Sequence, residues 1–179
     1  MRIAFANDHA ATDARPAILA RLAELGHDVV DFGTASRDPV DYPDPAANAG
    51  RAVSSGRADR AVMICGSGIG MSIVANRFHG VRCALVTDTW AAAMCRLHND
   101  ANALALRARE QDPAVNAAIL DLFLETPFEG GRHRRRVEKI EQVSGGEDTA
   151  PIPRQVTVSD CDRDMETAPI PRPSHFPER

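Results

Sequence analysis

The chain has 179 residues, of which 44% are hydrophobic and 4% aromatic, and its formal net charge is -4. That length is enough for one domain with a sizeable core, built mainly from Ala, Val, Leu and Ile. The negative charge argues against general nucleic-acid binding, which depends on phosphate neutralisation, and no apolar run approaches the roughly 18 residues of a membrane span. The first residues, MRIAFANDHA, lack the long apolar stretch of a signal peptide, so we expect a cytoplasmic protein with no membrane or nucleic-acid partner.

Short apolar runs alternate with segments of helical periodicity along the first 143 residues. The runs predict strands at 2–6, 28–33, 60–65, 82–87 and 102–106. Helices are predicted between Pro16 and Gly26, over 46–55, after the glycine-rich turn that follows residue 65, and over 89–97, 112–127 and 130–143. Strands alternating with helices are typical of an α/β fold with a parallel sheet.

The composition changes at residue 144. Six of the 12 prolines lie in 144–179, large apolar side chains become rare, and TAPIPR occurs at both 149–154 and 167–172. Such a segment buries too little apolar surface to offset the entropy of ordering it. We therefore predict one domain over 1–143 and a proline-rich, disordered tail over 144–179, whose repeat is either a partner-binding motif or part of a solvated tail.

The four cysteines, Cys65, Cys83, Cys95 and Cys161, are widely separated and form no C-x-x-C pair. A zinc site needs paired ligands at close spacing, and a disulfide framework is typical of small secreted chains. We therefore expect reduced thiols and no metal or other cofactor.

One of these thiols lies where the third predicted strand ends and a glycine-rich turn begins, in MICGSGIGMS. Ligands of open parallel sheets bind beyond the carboxyl ends of the strands. The turn after Cys65 lets backbone N–H groups approach an anion at the start of the next helix. The pattern predicts a base beside an oxyanion cradle; the alternative is that Cys65 is a small core residue.

A dinucleotide site is a competing interpretation of the same glycines, since Asp88 follows about 20 residues later at a strand end. The G-x-G-x-x-G fingerprint, however, needs a glycine where this chain has Met71. It also belongs after the first strand, where NDHAAT contains no glycine. The pattern therefore does not favour a dinucleotide.

Further polar residues stand at the ends of predicted strands. Asp8 and His9 follow the first strand, and His98 and Asn99 precede the fifth. A histidine and a carboxylate near a thiol supply the groups for acid–base chemistry near neutral pH. The alternative is that these are ordinary solvated loop residues.

In GGRHRRRVEKI, Arg132 and Arg136 are four residues apart and share one face of the last predicted helix. Cations at a helix N-terminus oppose the macrodipole, so their presence predicts a bound anion, with phosphate as the natural candidate. The alternatives are a solvated basic face and a nucleic-acid contact, although the patch lacks interleaved aromatic residues.

The chain resembles the ribose-5-phosphate isomerase B family, which includes galactose-6-phosphate isomerase subunits, in segments that occur in order: IAFANDHA, DYP, ICGSGIGMSIVANRF, GVRCAL, LHNDANALALRAR and FEGGRHRRRVEKI. The resemblance covers roughly residues 2–142. It implies a Rossmann-like three-layer sandwich with a five-stranded parallel sheet, and a homodimer or tetramer with shared active sites. It also implies metal-free interconversion of aldose and ketose phosphates through an enediolate.

The resemblance also implies roles for individual residues. The catalytic ones are Cys65, which moves a proton between C1 and C2, Ser67 beside the oxyanion, and Asp8 and His98, which assist opening of the furanose ring. The substrate-binding ones are Gly66, Gly68, Ile69 and Gly70 of the loop, Tyr42 and Asn99 on sugar hydroxyls, and His9, Arg109, Arg132 and Arg136 on the phosphate, with His133 nearby. The resemblance places His98 and Arg109 across the dimer interface from Cys65.

The base of this family is either a cysteine that ends the third strand or a glutamate just after the glycine loop. This chain has Cys65 and, after Gly70, Met71, so it matches the cysteine version. Two features depart from the family: AATDAR lacks the glycine that often follows the Asp–His pair, and the tail extends past the usual end. The resemblance favours ribose 5-phosphate as the substrate. The alternatives are phosphates of allose, galactose or a tetrose, and a phosphosugar-binding protein without turnover.

Overall fold

The computed structural model describes the backbone of residues 1–144 and the side chains of residues 1–143. Its strands are β1 (Arg2–Asn7), β2 (Asp28–Asp31), β3 (Arg60–Cys65), β4 (Cys83–Leu85) and β5 (Ala103–Arg107). Its helices are α1 (Arg15–Glu24), α2 (Pro43–Ser54), α3 (Ile69–Ala75), α4 (Thr89–Leu97), α5 (Pro113–Glu125) and α6 (Arg132–Ser144), and a 3-10 turn spans His9–Ala11. The tail predicted over 144–179 lies outside the described residues, apart from the backbone of its first residue.

All five strands are parallel and lie in the order β2-β1-β3-β5-β4. The chain leaves β1 toward one side to form β2 and continues on the other side with β3, so the direction of winding reverses between β1 and β3. A crevice opens outside the carboxyl ends of the strands at such a switch point. In this chain the two strands end at Asn7 and Cys65, so the residues that follow each of them meet at this crevice.

The core has two layers because side chains alternate between the faces of the sheet. On one face, large residues such as Phe5, Ile64 and Leu106 pack with residues of α1, α4 and α5. On the other face, smaller residues that include Ala4 and Cys65 pack with residues of α2 and α3. The predicted three-layer sandwich with its five-stranded parallel sheet is confirmed.

α1 begins within one residue of the predicted Pro16, after a 3-10 turn that the sequence does not predict, whereas α2 departs from its predicted start. Asp8 accepts the Ala10 N–H at 3.0 Å and caps the 3-10 turn, so the regular helix begins only at Arg15. α2 begins at Pro43, earlier than the predicted residue 46. Proline has no N–H and a fixed φ, which suits the first turn of a helix, where the N–H has no partner.

Arg82 connects α6 to the loop before β5. Its Nη1 donates to Glu141 Oε1 at 2.5 Å, and its Nη2 donates to the Asp100 carbonyl oxygen at 2.8 Å. This connection holds α6, which carries Arg132 and Arg136 near its amino-terminal end. Over residues 1–144, no helix combines the length and apolar character that crossing a membrane requires.

Candidate active site

A cleft of about 630 Å³ opens at the carboxyl ends of β1, β3 and β5. Its walls bring together nine residues predicted for the site: Asp8, His9, Tyr42, Cys65, Gly66, Ser67, Ile69, Gly70 and Arg109. These residues come from separate parts of the sequence, and the parallel sheet gathers them because its strands end at one edge.

Cys65 ends β3 with only 4% of its surface exposed. Its Sγ accepts the Gly68 N–H at 3.1 Å, so the sulfur acts as a hydrogen-bond acceptor. The buried Cys95 thiol differs, because it donates to the Ala92 carbonyl oxygen at 3.2 Å and burial raises its pKa to about 11. Of these two buried thiols, Cys65 is the one with the hydrogen bonding that suits a base.

The glycine-rich turn needs glycine for two different reasons. Gly68 has a φ of +76°, and a Cβ there would lie 2.9 Å from the Leu106 carbonyl oxygen. A Cβ on Gly70 would lie 2.4 Å from the ring of Tyr42. The turn therefore fits tightly between β5 and the Tyr42 ring, and this contact brings Tyr42 to the cleft.

Asn7 fixes the turn that carries Asp8 and His9. Its buried Nδ2 donates to the carbonyl oxygens of Asp8 at 2.9 Å and Thr34 at 2.8 Å, and the Val40 N–H donates to His9 Nδ1 at 3.2 Å. Because Nδ1 is an acceptor, neutral His9 carries its proton on Nε2. His9 is therefore prepared to donate from Nε2 to an anion in the cleft.

Arg109 lies in the cleft of the same chain as Cys65, so the prediction that it lies across an interface from Cys65 is wrong. The Arg109 N–H donates to the Gly66 carbonyl oxygen at 3.1 Å, and its Nε would lie 3.4 Å from a Cβ on Gly66. The sheet explains this placement. β5 pairs directly with β3 in a register that sets Arg107 beside Cys65, and Arg109 follows shortly after.

The remaining predicted residues gather around the end of α4 and the start of α6. The ring of His98, which follows α4, stacks on that of His133 with centroids 4.2 Å apart and planes within 7°. Glu129 Oε2 lies 3.7 Å from His98 Nε2 and 3.8 Å from His133 Nε2. Burial, together with the nearby His98 and Arg132, lowers the pKa of His133. His133 is therefore neutral at pH 7, which limits repulsion within this basic cluster.

A family model described as Ribose/Galactose Isomerase matches residues 3–140. The chain belongs to the ribose/galactose isomerase family. It is accordingly a sugar phosphate isomerase, an intramolecular oxidoreductase. The resemblance and the enzyme class predicted from the sequence are confirmed.

Three relatives support this assignment. The ribose-5-phosphate isomerase B of Escherichia coli (strain K12) is 39% identical over 142 residues, which make up 79% of this chain and 95% of that protein. The structure of Clostridium thermocellum ribose-5-phosphate isomerase B matches with a TM-score of 0.79 at 41% identity, and the match covers 82% of this chain and 99% of that one. The Mycoplasma genitalium ribose-5-phosphate isomerase B, solved with bound ribulose-5-phosphate, matches with a TM-score of 0.78 at 37% identity over 80% of this chain and 96% of that one.

In this isomerase the predicted site is divided between two surfaces. The cleft holds Cys65 and its neighbours. The other residues, which we call the His98 cluster, are His98, Asn99, Arg132, His133 and Arg136, and over the described part of the chain none of them lines that cleft. Asn99 and Arg136 instead line a separate groove of about 660 Å³ beside α6.

Besides Ala10, which follows the predicted Asp8 and His9, four residues line the isomerase cleft that the sequence does not predict: Leu85, Thr87, Arg107 and Glu110. All four stand at or just after the ends of β4 and β5, so attention to strand ends is the signal that would find them. The predicted fifth strand stops at 106, one residue short of Arg107. Its pairing with β3 cannot be read from the order of strands in the sequence.

His98, Glu129 and His133 also place three possible metal-ligand atoms within 4.8 Å of one another. The lone pair of an imidazole lies in the plane of the ring, so a bound ion has to lie in that plane. Because the two rings are stacked in parallel planes, one ion cannot lie in both. In this arrangement the isomerase holds a carboxylate near two rings and does not form a metal-ligating triad.

Proposed function

We propose that the chain interconverts ribose 5-phosphate and ribulose 5-phosphate with Cys65 as the base. The observation that carries the proposal is the hydrogen bond from the Gly68 N–H to Cys65 Sγ, in a cleft that also holds His9 and Arg109. Supporting it, the relatives in Escherichia coli and Clostridium thermocellum bear the name ribose-5-phosphate isomerase B, and the Mycoplasma genitalium protein binds ribulose-5-phosphate.

The reaction moves one carbon-bound proton and one hydroxyl proton. The Cys65 thiolate takes the proton from C2 of the open-chain aldose, the C–H electron pair becomes the C1–C2 double bond, and the carbonyl pair moves onto O1. The thiol then returns its proton to C1 while the O2 proton is lost and O1 is protonated, so that the carbonyl forms at C2. N–H groups of the turn and the Ser67 hydroxyl stabilise the oxyanion of the enediolate.

The phosphate binds to cations of the cleft and of the His98 cluster. His9 donates from Nε2, and over the described residues the Arg109 guanidinium has no hydrogen bond or ion pair, so its donors remain available to an anion. Arg132 and Arg136 add to this charge. Asp8 and His98 assist ring opening, while Tyr42 and Asn99 contact sugar hydroxyls.

The proposal includes a second copy of the chain. In one chain the His98 cluster lies apart from the Cys65 cleft, and each surface holds only part of the predicted site. A symmetric dimer that sets the His98 cluster of one chain over the cleft of the other would complete two identical sites. The separation of the two surfaces is what supports this part of the proposal.

The family description names galactose as well as ribose, so the second candidate is an isomerase of a six-carbon phosphosugar. The same assay separates the two candidates when ribose 5-phosphate is compared with galactose 6-phosphate and allose 6-phosphate. The ribose proposal requires the largest kcat/KM for the five-carbon substrate. A larger value for a six-carbon phosphate would favour the second candidate.

Cys65→Ala tests the base directly, with Cys95→Ala as the matched control because Cys95 is also buried and does not line the cleft. Cys65→Ala should lower kcat at least ~10²-fold, the usual contribution of a general base, and should abolish exchange of the C2 proton with solvent deuterium. Substrate binding measured by calorimetry should change little. Activity of Cys65→Ala within about tenfold of the wild type would contradict the assigned role.

A further inference from the structure

Arg107 stands next to the proposed base and has no role in the reaction as proposed above. It ends β5, and the β3–β5 register pairs it with Cys65. Residues paired on neighbouring parallel strands direct their side chains to the same face of the sheet. Both residues accordingly line the cleft.

Arg107 is anchored once through its side chain and once through its backbone. Its Nε donates to Gln111 Oε1 at 2.7 Å, and Gln111 Nε2 donates to the Thr87 carbonyl oxygen at 3.0 Å. The Arg107 carbonyl oxygen accepts from Asn116 Nδ2 at 2.9 Å. The cation is therefore fixed before any ligand binds, which is what preorganised electrostatic stabilisation requires.

The terminal nitrogens of Arg107 are not used by the protein. Over the residues that the structure describes, they form no hydrogen bond, and the guanidinium has no ion pair with a carboxylate, although Asp8 and Glu110 line the same cleft. A half-buried cation without a counter-charge is costly. Its terminal donors are thus available to an anionic group in the cleft.

The position of Arg107 indicates which anionic group of a sugar phosphate it binds. The phosphate has its own donors in His9 and Arg109, whereas the charge that develops next to Cys65 is that of the enediolate. We infer that Arg107 is a further catalytic residue, which donates hydrogen bonds from its terminal nitrogens to an enediolate oxygen. This inference rests on the proposed function. Arg107 gives up no proton, so the proton balance of the reaction is unchanged.

This role predicts a selective kinetic effect. The enediolate charge is absent from the bound sugar and present near the transition state, so removing its donor should lower kcat and leave KM and phosphate binding nearly unchanged. Arg107→Met keeps most of the side-chain volume and removes the donors. Its matched control is Arg57→Met, because Arg57 is exposed and precedes β3, at the opposite end of that strand from Cys65.

Arg107→Met should lower kcat by ~10²–10³-fold, the usual loss for one oxyanion donor, with KM and the inhibition constant of inorganic phosphate within about threefold of the wild type. Gln111→Leu, which keeps the cation and removes its anchor, should lower kcat by a smaller factor. Arg57→Met should leave all three constants unchanged. Gln111→Leu also keeps the inference testable if Arg107→Met unfolds.

Two results would overturn the inference. The first is kcat near the wild-type value in both Arg107→Met and Gln111→Leu. The second is a raised KM with weakened inhibition by inorganic phosphate at unchanged kcat, which would make Arg107 a phosphate ligand. The Cys65→Ala variant distinguishes failure of the proposed function from failure of this inference. If the proposed function is wrong, Cys65→Ala retains activity. If only the inference about Arg107 is wrong, Cys65→Ala is still inactive.

Discussion

At the residue scale, the chemistry depends on how closely the turn after β3 approaches its neighbours. The Gly68 N–H reaches the sulfur of Cys65 only because the turn adopts a left-handed conformation at Gly68 and packs against the backbone of β5. The hydrogen bonding of the sulfur therefore depends on the conformation of the turn and on its packing against β5. A change in the turn should affect the proposed base even though Cys65 itself is unchanged.

Gly68→Ala tests this dependence, with Gly56→Ala as its control. Both glycines have a positive φ, but a Cβ on Gly68 would lie 2.5 Å from Leu85 Cδ1 and 2.9 Å from the Leu106 carbonyl oxygen, whereas a Cβ on Gly56 meets nothing within 4 Å. Gly56→Ala should lower the free energy of unfolding by about 1 kcal/mol through backbone strain alone. Gly68→Ala should lower it by about 2–4 kcal/mol, because overpacking adds to that strain, and should also reduce kcat. Equal losses in urea unfolding of the two variants would contradict the tight fit.

Single residues differ in how far the sequence predicts their placement. Cys65 and Gly68 are neighbours in the chain, so strand, turn and glycine pattern suffice to place them in one cleft. Arg107 and Arg109 reach that cleft through the β3–β5 pairing, which depends on strand order across the sheet. That order is a long-range property, and for this reason Arg107 escapes prediction and the predicted placement of Arg109 is wrong.

At the scale of elements, one network links the ends of β1 and β2 to α1. Arg15 donates from Nη1 to Asn7 Oδ1 and to Asp31 Oδ1, each at 2.9 Å, and also pairs with Asp31 through Nη2. Since Asn7 in turn fixes the turn that carries Asp8 and His9, the network supports one wall of the cleft. Its strength should depend on the ionisation of Asp31.

The pH dependence of stability tests that network. Burial by itself would raise the pKa of Asp31, but the hydrogen bond from Arg15, the Gly33 N–H and the Arg15 charge outweigh it and lower the pKa below its ordinary value. A carboxyl whose pKa is lower in the folded state stabilises the fold above its unfolded pKa of about 3.9, and this contribution is lost as the pH falls through the folded pKa. The wild type should therefore lose more stability between pH 6 and pH 3 than Asp31→Asn does.

Urea unfolding across that range provides the measurement, and Asp28→Asn is the control because Asp28 is exposed at the other end of β2. The control should follow the wild-type pH profile. Parallel profiles for the wild type and Asp31→Asn would show that the pair does not contribute to the acid sensitivity of the fold.

The elements themselves follow from local patterns more completely than the site does. Each predicted strand and helix is present because apolar periodicity is a local property of the chain. Local chemistry adds two features that this pattern does not predict: Asp8 caps a 3-10 turn ahead of α1, and Pro43 extends α2 toward its amino terminus. Both features lie beside the cleft, which Asp8 and Tyr42 line.

At the scale of the whole molecule, the central claim is that one active site combines the Cys65 cleft of one chain with the His98 cluster of another. The structure supplies the reason for the claim, since the two surfaces are separate within one chain. It also shows which residues the test has to change on each surface. Arg109 belongs to the same surface as Cys65, whereas His98 and Arg136 belong to the other.

The most direct measurement combines two inactive chains in one dimer. Cys65→Ala and the double variant His98→Ala/Arg136→Ala carry different affinity tags, are co-expressed, and are purified through both tags so that every dimer is mixed. One site of each mixed dimer then holds all the lesions and the other holds none, so activity should return to about half of the wild-type value. The control pairs Cys65→Ala with Arg109→Ala, whose lesions lie on the same surface, and should stay inactive because each site keeps one lesion. No recovery in the first pair, with mixed dimers verified by mass, would contradict the shared site.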